Sequence, residues 1–272
     1  MNGWWSSGDQ WRERMNRRRL GAWVVVGMLT LTGCAGKPVE HFTLEVDLPA
    51  EFRFIGGANY GPATGETCTL PRRRGKRPER KIFIARYKPV AERVSVELPL
   101  SEVIEGCPTV LRSVDFDMYA KWGKRDTDVG GDRAGIAIRD RWNDQPGMPE
   151  SGVQELIGQC QWRFRTVGPF HAIRKLLQCR SNNAIGPLQE SLAGGAAQRD
   201  QLAGKTLRLV LTVTDKEEPA VGDNWVVVPG GWKRCKGKSF EDLYAFCNGN
   251  TSDFKPIKMP DGRVCDVYPS CQ

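Results

Sequence analysis

The chain has 272 residues, with 40 lysines and arginines against 32 aspartates and glutamates, a net charge of +8, and nine cysteines. This length is enough for one large domain or two small ones with a substantial buried core. The moderately basic balance argues against a nucleic-acid binder. It is compatible with an acidic protein partner or an anionic lipid surface.

The first residues have the order of a secretion signal. A basic cluster, Arg17–Arg19, precedes a thirteen-residue apolar run from Leu20 to Thr32, and small residues lead into Cys34. As a helix this run would cover roughly 20 Å, too short to cross a hydrocarbon core about 30 Å thick. The sequence therefore predicts a cleaved signal peptide over residues 1–33 rather than a transmembrane helix. Met15 begins a complete signal by itself, so we also predict that translation starts there.

The stretch Leu31-Thr32-Gly33-Cys34 resembles the lipobox of bacterial lipoproteins. In that family the cysteine thiol receives a diacylglycerol, the signal is cut before the cysteine, and the new amine is acylated. The resemblance implies lipidation of Cys34 and a lipidated tether over residues 34–40. With Ala35 at the second mature position, it also implies sorting to the outer membrane, facing the periplasm, in an organism with two membranes.

Eight cysteines remain once Cys34 is assigned to the lipid. They are Cys68, Cys107, Cys160, Cys179, Cys235, Cys247, Cys265 and Cys271. An even number in an oxidising compartment predicts four disulfides, although roughly one hundred pairings are possible. Local spacing favours Cys68–Cys107, Cys160–Cys179 and two bridges inside the last forty residues. No Cys-x-x-Cys pair occurs and both histidines lie far from the C-terminal cysteines, so no zinc site is predicted.

Alternating apolar and polar residues predict a series of short strands. The segments are His41–Leu48, Glu51–Ile55, Arg93–Leu98, Arg112–Ala120, 136–138, Glu155–Thr166 and Ile173–Cys179. Turn-forming glycines and prolines separate them. The pattern predicts a mainly β domain over residues 41–181, folded as an antiparallel sandwich or a barrel-like structure.

The composition changes after residue 181. Residues 182–204 are rich in glycine, alanine and asparagine, which predicts a linker or long loop. Residues 205–272 predict further strands at Lys205–Thr214 and Trp225–Val228, then a disulfide-rich C-terminal segment that depends on its bridges for stability. Within that segment, Ser239–Phe246 fits a short amphipathic helix with Ser239 as its N-cap.

Two kinds of surface feature are candidates for partner binding. The charge run 72–81 predicts a solvated hairpin loop or, alternatively, a basic finger for lipid phosphates or an acidic partner. Trp122 and Trp142 each stand near arginines, a combination that protein interfaces use for anchors. The candidate contact residues are Arg72, Arg73, Arg74, Lys76, Trp122 and Trp142.

The sequence contains no recognisable catalytic motif. Neither G-x-S-x-G nor H-E-x-x-H occurs. No serine near His41 or His171 stands at a spacing that indicates a catalytic triad. Asp126 and Asp128 imitate the first ligands of a calcium loop, but Ala137 stands where a bidentate glutamate is needed. The sequence therefore predicts a binding protein with no enzymatic activity, metal or cofactor.

The stretches Tyr60–Cys68, Cys160–Arg165 and Lys175–Cys179 resemble those of lipoproteins encoded beside type VI secretion phospholipase effectors. The resemblance extends from the signal to about Arg180 and leaves the C-terminal segment uncovered. It implies an immunity protein that binds a secreted lipase toxin in the periplasm and blocks its active site or its approach to the membrane. The alternative is an envelope structural or assembly lipoprotein that binds peptidoglycan, lipopolysaccharide or an outer-membrane complex through the basic run.

Overall fold

The computed structural model describes residues 39–70, 80–141, 147–182, 192–239, 242 and 244–271, which belong to one structural unit. Their regular structure is β-strand, apart from the three-residue 3-10 helices Arg199–Gln201 and Gly222–Asn224. The predicted mainly β class is confirmed. The predicted signal peptide and the lipidation site, Cys34, lie outside the described residues.

The strands differ widely in length, from two residues to fifteen. In chain order they are β1 (His41–Leu48), β2 (Phe52–Pro62), β3 (Arg80–Ala85), β4 (Glu92–Pro99), β5 (Ser101–Ile104), β6 (Cys107–Lys121), β7 (Val129–Arg139), β8 (Val153–Val167), β9 (Ala172–Ser181), β10 (Ala193–Gln198), β11 (Thr206–Val213), β12 (Glu218–Pro219), β13 (Trp225–Val228), β14 (Gly231–Cys235), β15 (Phe254–Lys255), β16 (Ile257–Lys258), β17 (Val264–Cys265) and β18 (Tyr268–Pro269).

Sheet A has the strand order β17-β16-β9-β8-β11-β1-β4, and β12 also pairs with β8. Its centre is parallel, since β11 lies between β1 and β8 and runs in the same direction as both. The pairs β1–β4 and β8–β9 are antiparallel. The sheet is therefore mixed. Its parallel neighbours are distant in sequence, so local alternation could not indicate them.

Sheet B has the order β10-β7-β6-β2-β3, and β5 also pairs with β6. Strands β2, β3, β6 and β7 are antiparallel neighbours, as the sequence predicts for this part of the chain. Only Leu100 separates β4 in sheet A from β5 in sheet B. At the other edge, Arg180 of β9 forms an isolated bridge with Leu192, directly before β10. These two connections give the sandwich its barrel-like character.

The inner faces of sheets A and B enclose the larger hydrophobic core. The predicted inward residues of β1, namely Phe42, Leu44, Val46 and Leu48, are all at most 3% exposed. On the sheet B side of the core, Phe54 of β2 contacts Phe83 of β3 and Phe116 of β6 edge to face. The ring centroids are 5.8 and 5.4 Å apart, a favoured geometry for aromatic pairs. The period of two along each strand therefore identifies the buried face correctly.

Residues 193–198 form strand β10, which corrects the prediction of a linker or long loop over 182–204. The strand consists mainly of alanine and glycine because it lies close to sheet A. A Cβ added at Gly158 would lie 2.9 Å from the Cβ of Ala193. Small residues carry little hydrophobic alternation, so the sequence offered no strand signal here. Residues 183–191 of the predicted linker lie outside the described part of the chain.

The two sheets also approach each other closely where β7 of sheet B packs against β9 of sheet A. A Cβ added at Gly130 would lie 2.5 Å from Cζ3 of Trp162 and 2.8 Å from the backbone nitrogen of Leu177. Trp162 packs against the larger core, in agreement with its predicted inward orientation. Glycine at position 130 therefore lets the two sheets meet along this edge.

The C-terminal segment forms a small sheet, with β14 between β13 and β15 and also paired to β18. We call the described residues between 222 and 271 the cap. Trp225, Ile257 and Tyr268 of the cap form a second core together with Phe164 of β8 and Ile173 of β9. The cap therefore packs on the end of the β8–β9 hairpin.

Four disulfides join the eight described cysteines: Cys68–Cys107, Cys160–Cys179, Cys235–Cys247 and Cys265–Cys271. The structure confirms both predicted local pairs and the two bridges near the C-terminus. Cys160 and Cys179 are directly opposite in the β8–β9 register and are both 0% exposed. That bridge lies inside the core, while two of the others lie in the C-terminal segment.

The predicted helix over Ser239–Phe246 is wrong for the residues that the structure describes. Oδ1 of Asp242 accepts hydrogen bonds from the backbone nitrogens of Tyr244 and Ala245, each at 3.0 Å. Ala245 has a φ of 46°, in the left-handed region. A short polar side chain that binds the nearby backbone competes with a helix, which explains the turn.

Candidate binding site

The cap lies at the end of the sandwich opposite residue 39. Thr43 of β1 pairs with Thr206, and Thr206 pairs with Val153 at the start of β8. From there β8 runs for 15 residues to Val167, a length of roughly 45 Å at about 3.3 Å per residue. Because the cap packs on the far end of β8, it is remote from the point where a tether before residue 39 would join the fold.

A cleft of about 600 Å³ lies where the outer face of the β8–β9 hairpin meets the cap. Its main lining residues are Arg163, Leu176, Gln178, Arg180, Glu218 and Trp232. The volume falls within the range of roughly 300–1,000 Å³ that is usual for ligand clefts. Side chains from β8, β9, β12 and β14 thus come together although they are far apart in sequence.

Ion pairs fix the charged side chains of this cleft. Nη1 of Arg163 donates to Oε2 of Glu218 at 2.5 Å, and its Nε donates to Oε1 of Gln178 at 2.9 Å. Nη1 of Arg180 donates to Oδ2 of Asp132 at 3.2 Å. Hydrogen bonding to Lys216 holds the pKa of the Glu218 carboxyl below its usual range, with the Arg163 charge acting in the same direction. The cleft is therefore lined by charged side chains that ion pairs hold in fixed orientations.

An apolar contact point lies among these charges. Leu176 is on the outer face of β9, opposite Arg163 in the register, and is 39% exposed. Trp232 of β14 contributes an aromatic wall. An exposed leucine and an indole that line one cleft, with charged side chains around them, match the usual arrangement of a protein interface, in which an apolar centre has a polar rim.

Among the residues predicted from sequence as partner contacts, Trp122 is the one within the described part of the chain, and it does not line this cleft. Arg72, Arg73, Arg74, Lys76 and Trp142 lie outside the described residues. Trp122 is described and is half-buried, with Nζ of Lys175 5.9 Å from its ring centroid. Trp122 therefore packs against its own fold.

The loop after β6 is closed by an ion pair. The side chain of Arg125 donates to Oδ1 of Asp128 at 2.6 Å, and the backbone nitrogen of Arg125 donates to Oδ2 at 3.1 Å. Asp128 is only 1% exposed. Arg125 thereby stabilises its own loop. Within the described ranges, no group of three or more histidine, cysteine or acidic residues is placed to hold a metal ion.

We expect Asp128→Asn to lower the free energy of unfolding by about 1 kcal/mol at pH 7, because it weakens charge-assisted hydrogen bonds from the half-exposed Arg125 to a buried carboxylate. The hydrogen bond from Arg125 holds the pKa of Asp128 below its ordinary value. A lowered carboxyl pKa stabilises the fold above the unfolded-state pKa, and this contribution is lost as the pH falls through the folded-state pKa. Urea unfolding at pH 7 and pH 3 should show a smaller difference from the wild type at pH 3. An equal difference at both values would contradict this explanation.

Sequence reasoning missed Leu176, Glu218 and Trp232 as cleft residues. Leu176 follows the alternation of β9 as an outward residue, and an outward leucine in a strand is the one local signal available. Glu218 belongs to a two-residue strand and Trp232 to the cap. Their positions in the cleft depend on contacts between distant parts of the chain.

No protein-family model, curated protein or solved structure matches this chain. Among the described residues, none forms a helix long and apolar enough to cross a bilayer.

Proposed function

We propose that the protein is a lipid-anchored, periplasm-facing binding protein that neutralises a lipase effector of a type VI secretion system. The observation that carries the proposal is the cleft between the β8–β9 hairpin and the cap, with its apolar contact point and oriented charges. The lipobox-like stretch supports the location. The resemblance to lipoproteins encoded beside phospholipase effectors supports the class of partner.

The cleft suits a protein loop with a projecting apolar side chain. Such a side chain would contact Leu176 and Trp232, and polar groups of the partner would meet Arg163 and Arg180 at the rim. Both arginines are already oriented by ion pairs, so less side-chain entropy is lost on binding. If the bound loop borders the active site of the lipase or its membrane-facing surface, binding blocks hydrolysis of phospholipids.

The first test is to express the protein from Ala35 onward in an oxidising compartment and to capture its partners from the producing strain. We expect mass spectrometry to identify one secreted lipase, bound one-to-one and inhibited by the protein. Recovery of porins, peptidoglycan or assembly components without a lipase would contradict the proposal and favour the envelope structural alternative. Deletion of the gene would then cause envelope defects even when no toxin is present.

We expect Leu176→Glu to weaken lipase binding at least tenfold, because a carboxylate in the apolar centre of an interface loses its hydration (about 1.4 kcal/mol or more). The outward position of Leu176 should leave the stability of the fold nearly unchanged. Val103→Glu is the matched control, since Val103 is 72% exposed on β5, outside the cleft. Equal affinities of both variants for the lipase, measured by calorimetry, would exclude the cleft as the contact.

A further inference from the structure

Two exposed aromatic side chains stand side by side on the cap. Tyr244 is 72% exposed and Phe246 is 39% exposed, and their rings are parallel within 2°, with centroids 6.1 Å apart. They border a depression that Lys238, Asp242 and Asn248 also line. Full burial of a large aromatic side chain is worth roughly 1.5–3 kcal/mol; Tyr244 forgoes most of this energy and Phe246 the smaller part of it. We call these two residues the aromatic pair.

The backbone that carries the aromatic pair is held by buried polar contacts. Arg234 is 3% exposed and donates from Nη2 to the carbonyl oxygen of Tyr244 at 2.7 Å and from Nη1 to that of Ala245 at 2.8 Å. Asp242 accepts from the backbone nitrogens of Tyr244 and Ala245. The Cys235–Cys247 disulfide closes the loop one residue after Phe246. The two rings are therefore pre-organised, which lowers the entropy lost on binding.

The spacing of the rings limits how a ligand can bind. Inserting a third flat group between two rings requires about 7 Å, twice a van der Waals contact of roughly 3.5 Å. The observed 6.1 Å is too small for this. A partner must therefore cover the outer surfaces of the pair, as a protein surface does when it packs over aromatic hot-spot residues.

Three basic side chains, Arg234, Lys238 and Lys255, lie around the pair together with the carboxylate of Asp242. Among the described residues, the four hydrogen bonds of Arg234 go to neutral oxygens, those of Thr166, Asn224, Ala245 and Tyr244. Lys238 is exposed at the edge of the depression. From residue 222 to residue 271, the range of the cap, the sequence has seven basic and six acidic residues, a net charge of +1. Such a surface attracts an acidic one.

We propose that the aromatic pair is the docking surface for the protein partner, and that the partner covers it with an apolar patch bordered by acidic side chains. This inference rests on the proposed function for the existence of a protein partner and adds the contact. The position of the cap, remote from residue 39, supports it, because a lipid tether would leave this end facing the periplasm.

The test places a photo-crosslinking amino acid at Tyr244, at Phe246 or, as a control, at Val103 in the lipid-anchored protein. Crosslinking is carried out in the producing strain while it secretes its effectors. We expect one protein adduct of defined mass from positions 244 and 246 and none from position 103. No adduct, an adduct with a second copy of this chain, or an adduct with a glycan would each overturn the docking surface.

Affinity measurements with the purified crosslinked partner complete the test. We expect Tyr244→Ala and Phe246→Ala each to weaken binding at least tenfold (about 1.4 kcal/mol). Lys238→Glu should weaken binding and reduce its dependence on salt, whereas Val103→Ala should change the affinity less than twofold. Stronger binding by Lys238→Glu would contradict an acidic partner.

The two proposals fail in different ways. If the adduct is a protein without lipase activity, the docking surface stands and the immunity function falls. If Tyr244→Ala and Phe246→Ala still bind and inhibit a lipase as the wild type does, the immunity function stands and the docking surface falls.

Discussion

Replacing Arg234 with methionine is expected to lower the free energy of unfolding of the cap by about 4 kcal/mol, since several buried carbonyl oxygens lose their donor at about 1–3 kcal/mol each. Burial lowers the pKa of Arg234 to about 10, which leaves the guanidinium charged at neutral pH. Its contacts with Asn224, Tyr244 and Ala245 join two loops of the cap. Methionine fills a similar volume and donates nothing to these oxygens.

Urea unfolding followed by tryptophan fluorescence measures this effect, because Trp225 lies in the second core. Arg234→Lys retains the positive charge but not the planar guanidinium that donates to several oxygens at once. We therefore expect an intermediate loss of unfolding free energy. Arg165→Met is the matched control, because Arg165 is exposed on β8 near the same end. We expect this change to stay within about 0.5 kcal/mol. A loss at Arg234 no larger than that at Arg165 would show that the network does not stabilise the cap.

Removal of the Cys160–Cys179 bridge by the double substitution Cys160→Ala and Cys179→Ala is expected to cost about 3 kcal/mol. The two cysteines are separated by 19 residues, and their loss frees the unfolded chain to adopt more conformations. Both side chains are fully buried, so losing the sulfur atoms also removes packing. This hairpin carries both the cleft and the contact with the cap, and we expect partner binding to weaken along with stability.

The matched control is the double substitution Cys265→Ala and Cys271→Ala. These cysteines are only 6 residues apart, so the loop-closure relation gives a loss smaller by about 1 kcal/mol. Urea unfolding of both variants under non-reducing conditions compares the two losses directly. If removal of the short-range bridge destabilises the protein more, loop closure is not the main source of stability at Cys160–Cys179.

The long strands and the disulfide pairs were accessible from sequence because both depend on local relations. In β1 a period of two places Phe42, Leu44, Val46 and Leu48 on one face, and that pattern alone indicates which face is buried. Cys160 and Cys179 are predicted partners because a single turn separates two alternating segments. In each case the residues that interact are close along the chain.

Strand β10 and the loop of the aromatic pair were predicted wrongly because their conformations depend on distant residues. The small residues of β10 carry no alternation, and the strand forms by parallel pairing with β7, which is distant in sequence, close to Gly158 of sheet A. The apolar residues Phe240, Leu243 and Tyr244 stand at i, i+3 and i+4 in the sequence, the spacing of a helix face. The buried hydrogen bonds from Arg234 and the turn at Asp242 instead impose the left-handed φ of Ala245.

The sequence by itself thus determined the mainly β class, the inward faces of the strands and the disulfide framework, because these follow from periodicity and short spacing. The tertiary structure decided the parallel centre of sheet A, the cleft beside Leu176 and the exposure of the aromatic pair. Each of these joins residues from separate segments, such as Thr43 with Thr206 or Arg163 with Glu218. Contacts between distant residues are set by the packing of the whole chain, and a local sequence pattern does not indicate them.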